Sequence, residues 1–125
     1  MATDAEKIVT DFCNAWPRKN VDELLGFFTD DAVYHNIPFE PAKGKAAIKT
    51  VINTLVLQNV KSLHFKVLHS AGNGNVVFNE RVDVFDLDNG KTISLPVAGV
   101  FEVTGSKISA WRDYFDPAMY TKQMQ

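Results

Sequence analysis

The first half of the chain has the hydrophobic spacing of helices. Apolar residues recur every three to four positions over residues 8–16, and Thr3 and Glu6 before them have the spacing of a helix N-terminal capping box. A second apolar run over 20–28 begins with an asparagine and two acids, and a third stripe covers 48–55. The pattern therefore predicts three helices.

The second half alternates between apolar and polar positions with a period of two. Gly- and Asn-rich turns separate the alternating stretches, as expected for consecutive hairpins. The predicted strands are 62–69, 76–87, 91–104 and 107–116, with one short extended piece earlier in the chain at 32–37. Three helices followed by a strongly bent antiparallel meander indicate an α+β domain, in which helices cap a curved sheet that encloses a pocket.

Composition limits the classes of function. With 125 residues and 46% hydrophobic content, the chain fits one domain spanning 1–125. A net charge of -2 gives no electrostatic footprint for nucleic acid, and no basic run or long apolar segment indicates a membrane. The single cysteine, Cys13, excludes an internal disulfide, and residues 1–4 lack the features of an export signal, so we expect a cytoplasmic protein.

The last predicted strand carries a carboxylate between two aromatic side chains. Side chains alternate along a strand, so Trp111, Asp113 and Phe115 share one face. If that face is interior, Asp113 needs hydrogen-bond donors, because an unpaired buried charge is costly. The alternative is an edge strand with Asp113 in water.

The second strand offers a partner for that carboxylate. Arg81 and Asp83 lie two positions apart and point together. Such pairs commonly form a solvated charged face, but a guanidinium also has enough fixed donors to bridge Asp83 and Asp113. Two carboxyl groups that share an arginine titrate as a pair, and one can stay protonated while the other is ionised. That is the requirement for combined acid and base catalysis.

Other polar residues carry weaker signals. Tyr34 and Asn36 share a face and could hold a water molecule beside a carboxylate, although on these residues alone ordinary turn and strand chemistry before Pro38 is the favoured explanation. The three histidines lack metal-ligand spacing, and Cys13 lies on the apolar stripe of the first helix, as a core thiol does. No phosphate-binding loop or serine elbow is present. These residues therefore give no support to a metal site, nucleotide binding or serine hydrolase chemistry.

Four segments together resemble one enzyme family. They are residues 34–38 (YHNIP), 80–84 (ERVDV), 99–101 (GVF) and 111–116 (WRDYFD). In order and spacing they are similar to the limonene-1,2-epoxide hydrolase family. The resemblance implies a cone-shaped α+β fold of the nuclear transport factor 2-like kind, a homodimer, and cofactor-free, one-step addition of water to a small epoxide such as limonene 1,2-epoxide.

The same resemblance implies a role for five residues. Asp113 corresponds to the general base, Tyr34 and Asn36 to the residues that hold the attacking water, Asp83 to the general acid, and Arg81 to the bridging arginine. Face parity adds a set of apolar candidates for the pocket wall, which are Trp16, Leu55, Phe85, Leu95, Val97 and Phe115.

Two other functions fit the same scaffold. An isomerase or polyketide cyclase would use one carboxylate base and would not need Arg81 between two aspartates. A non-catalytic binding module would lack a charged pair altogether. One local feature also limits the strand pattern, because Pro96 interrupts the hydrogen-bond ladder of strand 91–104 and predicts an edge or a bulge there.

Overall fold

The computed structural model describes residues 3–125. Within them, helices and a mixed sheet form the α+β arrangement that the sequence predicts. The helices are α1 (Asp4–Ala15), α2 (Val21–Leu25), α3 (Lys45–Val51) and α4 (Pro117–Met124), with a 3-10 turn at Trp16–Arg18 and a π-helical turn at Ile52–Val56 that continues α3.

The predicted start of the first helix is confirmed. The Glu6 backbone N–H donates to Thr3 Oγ1 at 3.1 Å, and the Glu6 carboxylate accepts from the Thr3 backbone N–H. Asn20 Oδ1 caps α2 by accepting from the Glu23 backbone N–H. The second predicted helix was too long, because Phe28 is already the first residue of a strand.

Six strands form one curved sheet. They are β1 (Phe28–Asn36), β2 (Ala42–Lys43), β3 (Val60–Asn73), β4 (Val76–Leu87), β5 (Thr92–Thr104) and β6 (Lys107–Tyr114), and their order is β2-β1-β6-β5-β4-β3. Neighbours are antiparallel except for the parallel pair β1 and β6. This order places β6 beside β1, so the residues near 113 lie next to those near 36.

The C-terminal end differs from the prediction. β6 ends at Tyr114, and Asp116 caps α4 by accepting from the Ala118 backbone N–H at 2.9 Å. Asp-Pro at 116–117 is a helix-start signal, but α4 has no buried residue and therefore little apolar pattern to reveal it. Polar contacts hold it on the sheet, where the Gln123 side-chain amide bonds both the N–H and the C=O of Ser94.

Pro96 lies in an interior strand, so the expectation of an edge strand is wrong for β5 as a whole. The register is continuous, with Pro96 opposite Val82 and no bulge between β4 and β5. β6 pairs with β5 only from Ala98 onward, so Pro96 has no strand neighbour on that side. The Ser94 N–H points to the same side and bonds α4 instead. The proline thus occupies a local gap in the sheet.

An aromatic cluster around Trp111 fills the core between α1 and the sheet. Phe12 packs edge-on against the Trp111 ring at 4.9 Å between centroids, and Tyr34 stacks on it at 4.1 Å with an angle of 6°. Phe28 and Phe101 also stack on this ring. Because close-packed aromatic rings have few alternative rotamers, the strand that carries Asp113 is held firmly.

None of the helices within residues 3–125 combines the length and the apolar character needed to cross a bilayer. The expectation about an export signal depends in part on Met1 and Ala2, which lie outside the described residues. The cytoplasmic location remains a prediction from the sequence.

Candidate active site

A fully buried arginine lies at the centre of the site. Arg81, on β4, has no exposed surface, and its guanidinium uses all five of its N–H groups. Nε and Nη2 donate to the two oxygens of Asp83, each at 3.0 Å. Nη1 and Nη2 donate to the two oxygens of Asp113 at 3.1 and 2.8 Å, and Nη1 also donates to Asn79 Oδ1 at 3.1 Å.

Both carboxyl groups are buried with the arginine. Asp83 is 4% exposed and Asp113 is 3% exposed, and each makes a bidentate contact with the guanidinium. The alternatives of a solvated Arg81–Asp83 face and of an edge strand with Asp113 in water are therefore wrong. A planar guanidinium that matches two carboxylates in this way holds them in one fixed geometry.

The two carboxyl groups have different surroundings. Asp113 Oδ1 accepts a further hydrogen bond from Trp111 Nε1 at 2.6 Å, whereas the hydrogen bonds to the Asp83 carboxyl come from Arg81. Burial raises the pKa of Asp83 from 3.8 to about 6, and Arg81 opposes this effect only in part. Asp83 is therefore the carboxyl better suited to carry a proton, and Asp113 is the one with the additional hydrogen-bond donor.

Arg81 itself stays charged. Burial disfavours the guanidinium cation, but the charges of Asp113 and Asp83 outweigh this and raise the pKa of Arg81 further. The centre is therefore one permanent cation that faces two carboxyl groups.

Strand β1 brings Tyr34 and Asn36 beside this pair. In the parallel ladder with β6, Tyr34 lies opposite Trp111 and Asn36 lies opposite Asp113. Burial, with a smaller contribution from the Asp113 charge, raises the pKa of the Tyr34 hydroxyl, so the phenol is neutral and can donate a hydrogen bond. Both side chains line the same cavity as Asp113.

A cavity of about 330 Å³ opens onto the carboxyl pair. Arg81 lies behind Asp83 and Asp113 and does not line it. Five of the six predicted wall residues do line it, namely Leu55, Phe85, Leu95, Val97 and Phe115. The cavity therefore holds two carboxyl groups, with the Tyr34 phenol and the Asn36 amide beside Asp113, in a space with many apolar wall residues.

Trp16 is the predicted wall residue that the structure places elsewhere. Its ring is fully buried and stacks at 4.9 Å on Phe65, which lines the cavity, so Trp16 lies one layer behind the wall. Its indole N–H is the one buried side-chain N or O in the described part of the chain that has no hydrogen-bond partner. Helical spacing shows which face of a helix is buried but not how many side chains separate that face from a cavity.

Several wall residues were not predicted from the sequence. They come from α4, from the loop after β1, from β3 and from the segment after α3, where the π-helical turn leaves Leu55 62% exposed at the cavity rim. Such turns are common at functional sites. The unpredicted residues are Phe39, Thr54, Val56, Gln58, Asn59, Phe65, Pro117, Tyr120 and Thr121.

Gly99, opposite Asp113 on β5, leaves room for the guanidinium. A Cβ atom there would lie 2.5 Å from Arg81 Nη1, 2.8 Å from Asn79 Oδ1 and 3.0 Å from Asp113 Oδ1. No side chain larger than hydrogen fits without moving the centre. Sequence alone marks this glycine only as part of a motif, because the close approach depends on the register of three strands.

The cone of helices on a curved six-stranded sheet is the nuclear transport factor 2-like fold that the resemblance implied. A structure of an LEH-like epoxide hydrolase from M. tuberculosis superposes with a TM-score of 0.82 at 29% identity, covering 96% of this chain and 88% of that one. A Catenulispora acidiphila protein with a ketosteroid isomerase-like fold superposes at 0.81 and 21% identity, with 93% and 90% covered, and shares the fold alone.

Sequence comparison gives the family. The limonene-1,2-epoxide hydrolase catalytic domain matches residues 3–125, and the chain belongs to this family. It is also 31% identical over 105 residues to epoxide hydrolase EphG of Mycobacterium tuberculosis, which covers 84% of this chain and 68% of EphG. Epoxide hydrolysis is thus supported as its activity at the level of the family.

Proposed function

We propose that this protein adds water to a small cyclic or terpene-like epoxide, such as limonene 1,2-epoxide, and releases a vicinal diol. The reaction runs in one step, without a cofactor and without a covalent intermediate. The observation that carries the proposal is the pair of buried carboxyl groups on Arg81, which face one apolar cavity from different hydrogen-bonding environments.

Asp113 is the general base. A water molecule held by Asp113, Tyr34 and Asn36 gives a proton to the Asp113 carboxylate as its oxygen attacks a ring carbon. The neutral Tyr34 hydroxyl and the Asn36 amide orient this water, and both line the cavity beside Asp113. Trp111 and Arg81 hold the Asp113 carboxyl in place by donating to it.

Asp83 is the general acid. It transfers its proton to the epoxide oxygen as the C–O bond breaks, so the ring opens to a hydroxyl rather than to an alkoxide. The new C–O bond and the broken one lie on opposite sides of the ring carbon. At the end of the step Asp113 holds the proton of the water and Asp83 is ionised, and a net proton transfer from Asp113 to Asp83 restores the starting state. Arg81 contacts both carboxyl groups throughout and keeps them in a fixed position relative to each other.

The cavity favours a compact apolar substrate. Its volume of about 330 Å³ is at the small end for ligand sites, and leucine, valine and phenylalanine side chains form much of its wall. An isomerase on this scaffold needs a single carboxylate base, so the buried pair favours hydrolysis over that alternative. A binding module would not need a buried charged pair, which is costly to desolvate.

A homodimer is also proposed. The outer face of the sheet, opposite the cavity, exposes Leu68, Phe78 and Tyr114, which are 44%, 47% and 46% exposed. Large apolar side chains clustered on one face are typical of association surfaces. Light scattering on the purified protein should give twice the 14.0 kDa mass of one chain, and a monomer would contradict the proposal.

The direct test of the proposed function is diol formation from limonene 1,2-epoxide and cyclohexene oxide, measured by chiral gas chromatography. We expect diol from the wild-type protein and none above background from Asp83→Asn. Asp86→Asn is the matched control, because Asp86 lies on the same strand but is bonded by Ser62 and Thr92. Folded wild-type protein that produces no diol from either epoxide would contradict the proposal.

The pKa of Asp83 sets the expected pH dependence. The acid must be protonated, and burial raises the pKa of its carboxyl to about 6, so kcat/KM should fall about tenfold per pH unit as the pH rises beyond that value. The decrease should be seen in kcat/KM, because the pH dependence of this parameter reports the pKa values of the free enzyme. A rate profile from about pH 5 to about pH 8 checks this, and a constant kcat/KM over that range would contradict Asp83 as the acid.

A further inference from the structure

We infer that Asn79 is a positioning residue for the Arg81 guanidinium. One guanidinium N–H donates to neither Asp83 nor Asp113, and Asn79 accepts the hydrogen bond from it. This inference rests on the proposed function for its effect on rate. Asn79 lies on β4 two residues before Arg81, on the same face of the strand, and is 6% exposed. Its Oδ1 accepts from Arg81 Nη1 at 3.1 Å.

The number of donors makes this acceptor necessary. A guanidinium has five N–H groups, and four of them donate to Asp83 and Asp113. The fifth, on Nη1, points into a part of the core that is closed to solvent, where an unpaired N–H is costly. Without Asn79 the guanidinium would gain by rotating toward another acceptor, and rotation would break the paired contacts with the carboxyl groups.

The acceptor acts on the side of the general base. Nη1 donates to Asn79 Oδ1 and Asp113 Oδ1, whereas Asp83 is bonded by Nε and Nη2. Gly99 leaves the space in which these three groups meet. Asn79 therefore holds the branch of the guanidinium that orients Asp113.

A second contact fixes which end of the Asn79 amide faces the arginine. Its Nδ2 donates to Cys13 Sγ, on α1, at 3.6 Å. Burial raises the pKa of this thiol to about 12, so Cys13 is neutral and does not add a charge beside the carboxyl pair. With Nδ2 turned toward sulfur, Oδ1 faces Nη1, and α1 is linked to the site through one amide.

Two substitutions separate positioning from space-filling. Asn79→Leu is close in size but has no acceptor, and we expect kcat for cyclohexene oxide to fall by about 10- to 100-fold with KM within about twofold, because a small displacement of a reacting group has effects of this order. Asn79→Asp has the same shape and keeps an acceptor oxygen, so it should retain kcat within about fivefold at a pH where its buried carboxyl is protonated and adds no charge beside Asp113. Asn14→Leu, the same change at an exposed position of α1 away from the cavity, is the control.

Nuclear magnetic resonance of the arginine side chains tests the inference without an epoxide. The chain has three arginines, so the buried Arg81 is readily assigned by comparison with Arg81→Lys. In the wild type, the Nη1 and Nη2 signals should be separate and exchange slowly, and in Asn79→Leu they should broaden through faster rotation. If Asn79→Leu does not fold, Asn79→Ala removes the same acceptor without adding bulk.

The two readouts distinguish failure of this inference from failure of the proposed function. No diol from the wild type would refute the hydrolase, while the arginine spectra would still decide whether Asn79 restrains Arg81. Unchanged spectra in a folded Asn79→Leu protein would overturn the inference whatever the activity. Broadened signals with unchanged kcat, or equal losses of kcat in the Leu and Asp variants, would also overturn it.

Discussion

Asp113→Asn should reduce kcat/KM for cyclohexene oxide by about a thousandfold or more, near the upper range for removal of a general base. An amide cannot take the proton from water. Its NH2 group would also face a donor in either orientation, because Asp113 Oδ2 accepts from Arg81 Nη2 at 2.8 Å and Oδ1 accepts from Arg81 Nη1 and Trp111 Nε1. The change acts on the acid as well, because the Asp113 charge helps to raise the pKa of Asp83.

The measurement compares kcat/KM for both proteins under identical conditions, with circular dichroism to establish that the variant is folded. Asp86→Asn, which removes a carboxylate bonded to Ser62 and Thr92 on β4, should keep kcat/KM within about twofold, as expected for a surface change. Equal diol from Asp113→Asn and wild type would mean that Asp113 has only a structural role.

Gly99→Ala should lower kcat by about a hundredfold or more, although it adds a single methyl group and touches no substrate. The new Cβ would lie 2.5 Å from Arg81 Nη1, well inside normal contact, and the guanidinium is pinned by five hydrogen bonds. Either Arg81 or β5 must move, and both movements misplace Asp113 relative to Asp83. Steady-state kinetics with cyclohexene oxide, together with thermal unfolding, gives the result.

Ala98→Val is the matched control for this substitution. It also enlarges a side chain of β5, but on the exposed outer face of the sheet next to Gly99. Because Ala98 pairs there with Tyr114 of the proposed dimer surface, light scattering must show that this variant has the wild-type mass. We expect it to keep kcat within about twofold, as surface changes usually do. If Gly99→Ala were as active as Ala98→Val, the close approach of Arg81 to β5 would not matter for the reaction.

Strand periodicity placed the candidate residues on shared faces, and the family resemblance then brought them together as one candidate site. Because side chains alternate along a strand, Arg81 and Asp83 share one face of their strand, and Trp111 and Asp113 share one face of theirs. This follows before any tertiary information is used. Whether those faces are buried could not be decided locally. Burial depends on the register that puts Gly99 between Asn79 and Asp113, which is a property of three strands together.

The missed features have comparable physical reasons. Helix α4 buries no residue and is held by the Gln123 side chain, so it leaves little hydrophobic pattern in the sequence. Trp16 has the spacing of a buried residue and is one, but it packs behind Phe65 instead of lining the cavity. Hydrophobic periodicity shows which positions are shielded from water. It does not distinguish a side chain in the wall of a cavity from one in the core.

The central claim is that water attacks the epoxide directly, with Asp113 as the base. A single turnover in H2(18)O, with enzyme in excess over cyclohexene oxide, tests it most directly. We predict that the diol of this first turnover carries one 18O atom and that mass spectrometry finds no label in the peptides containing Asp83 or Asp113. Unlabelled diol in the first turnover, with 18O later appearing in either carboxyl group, would demonstrate a covalent ester and contradict the account.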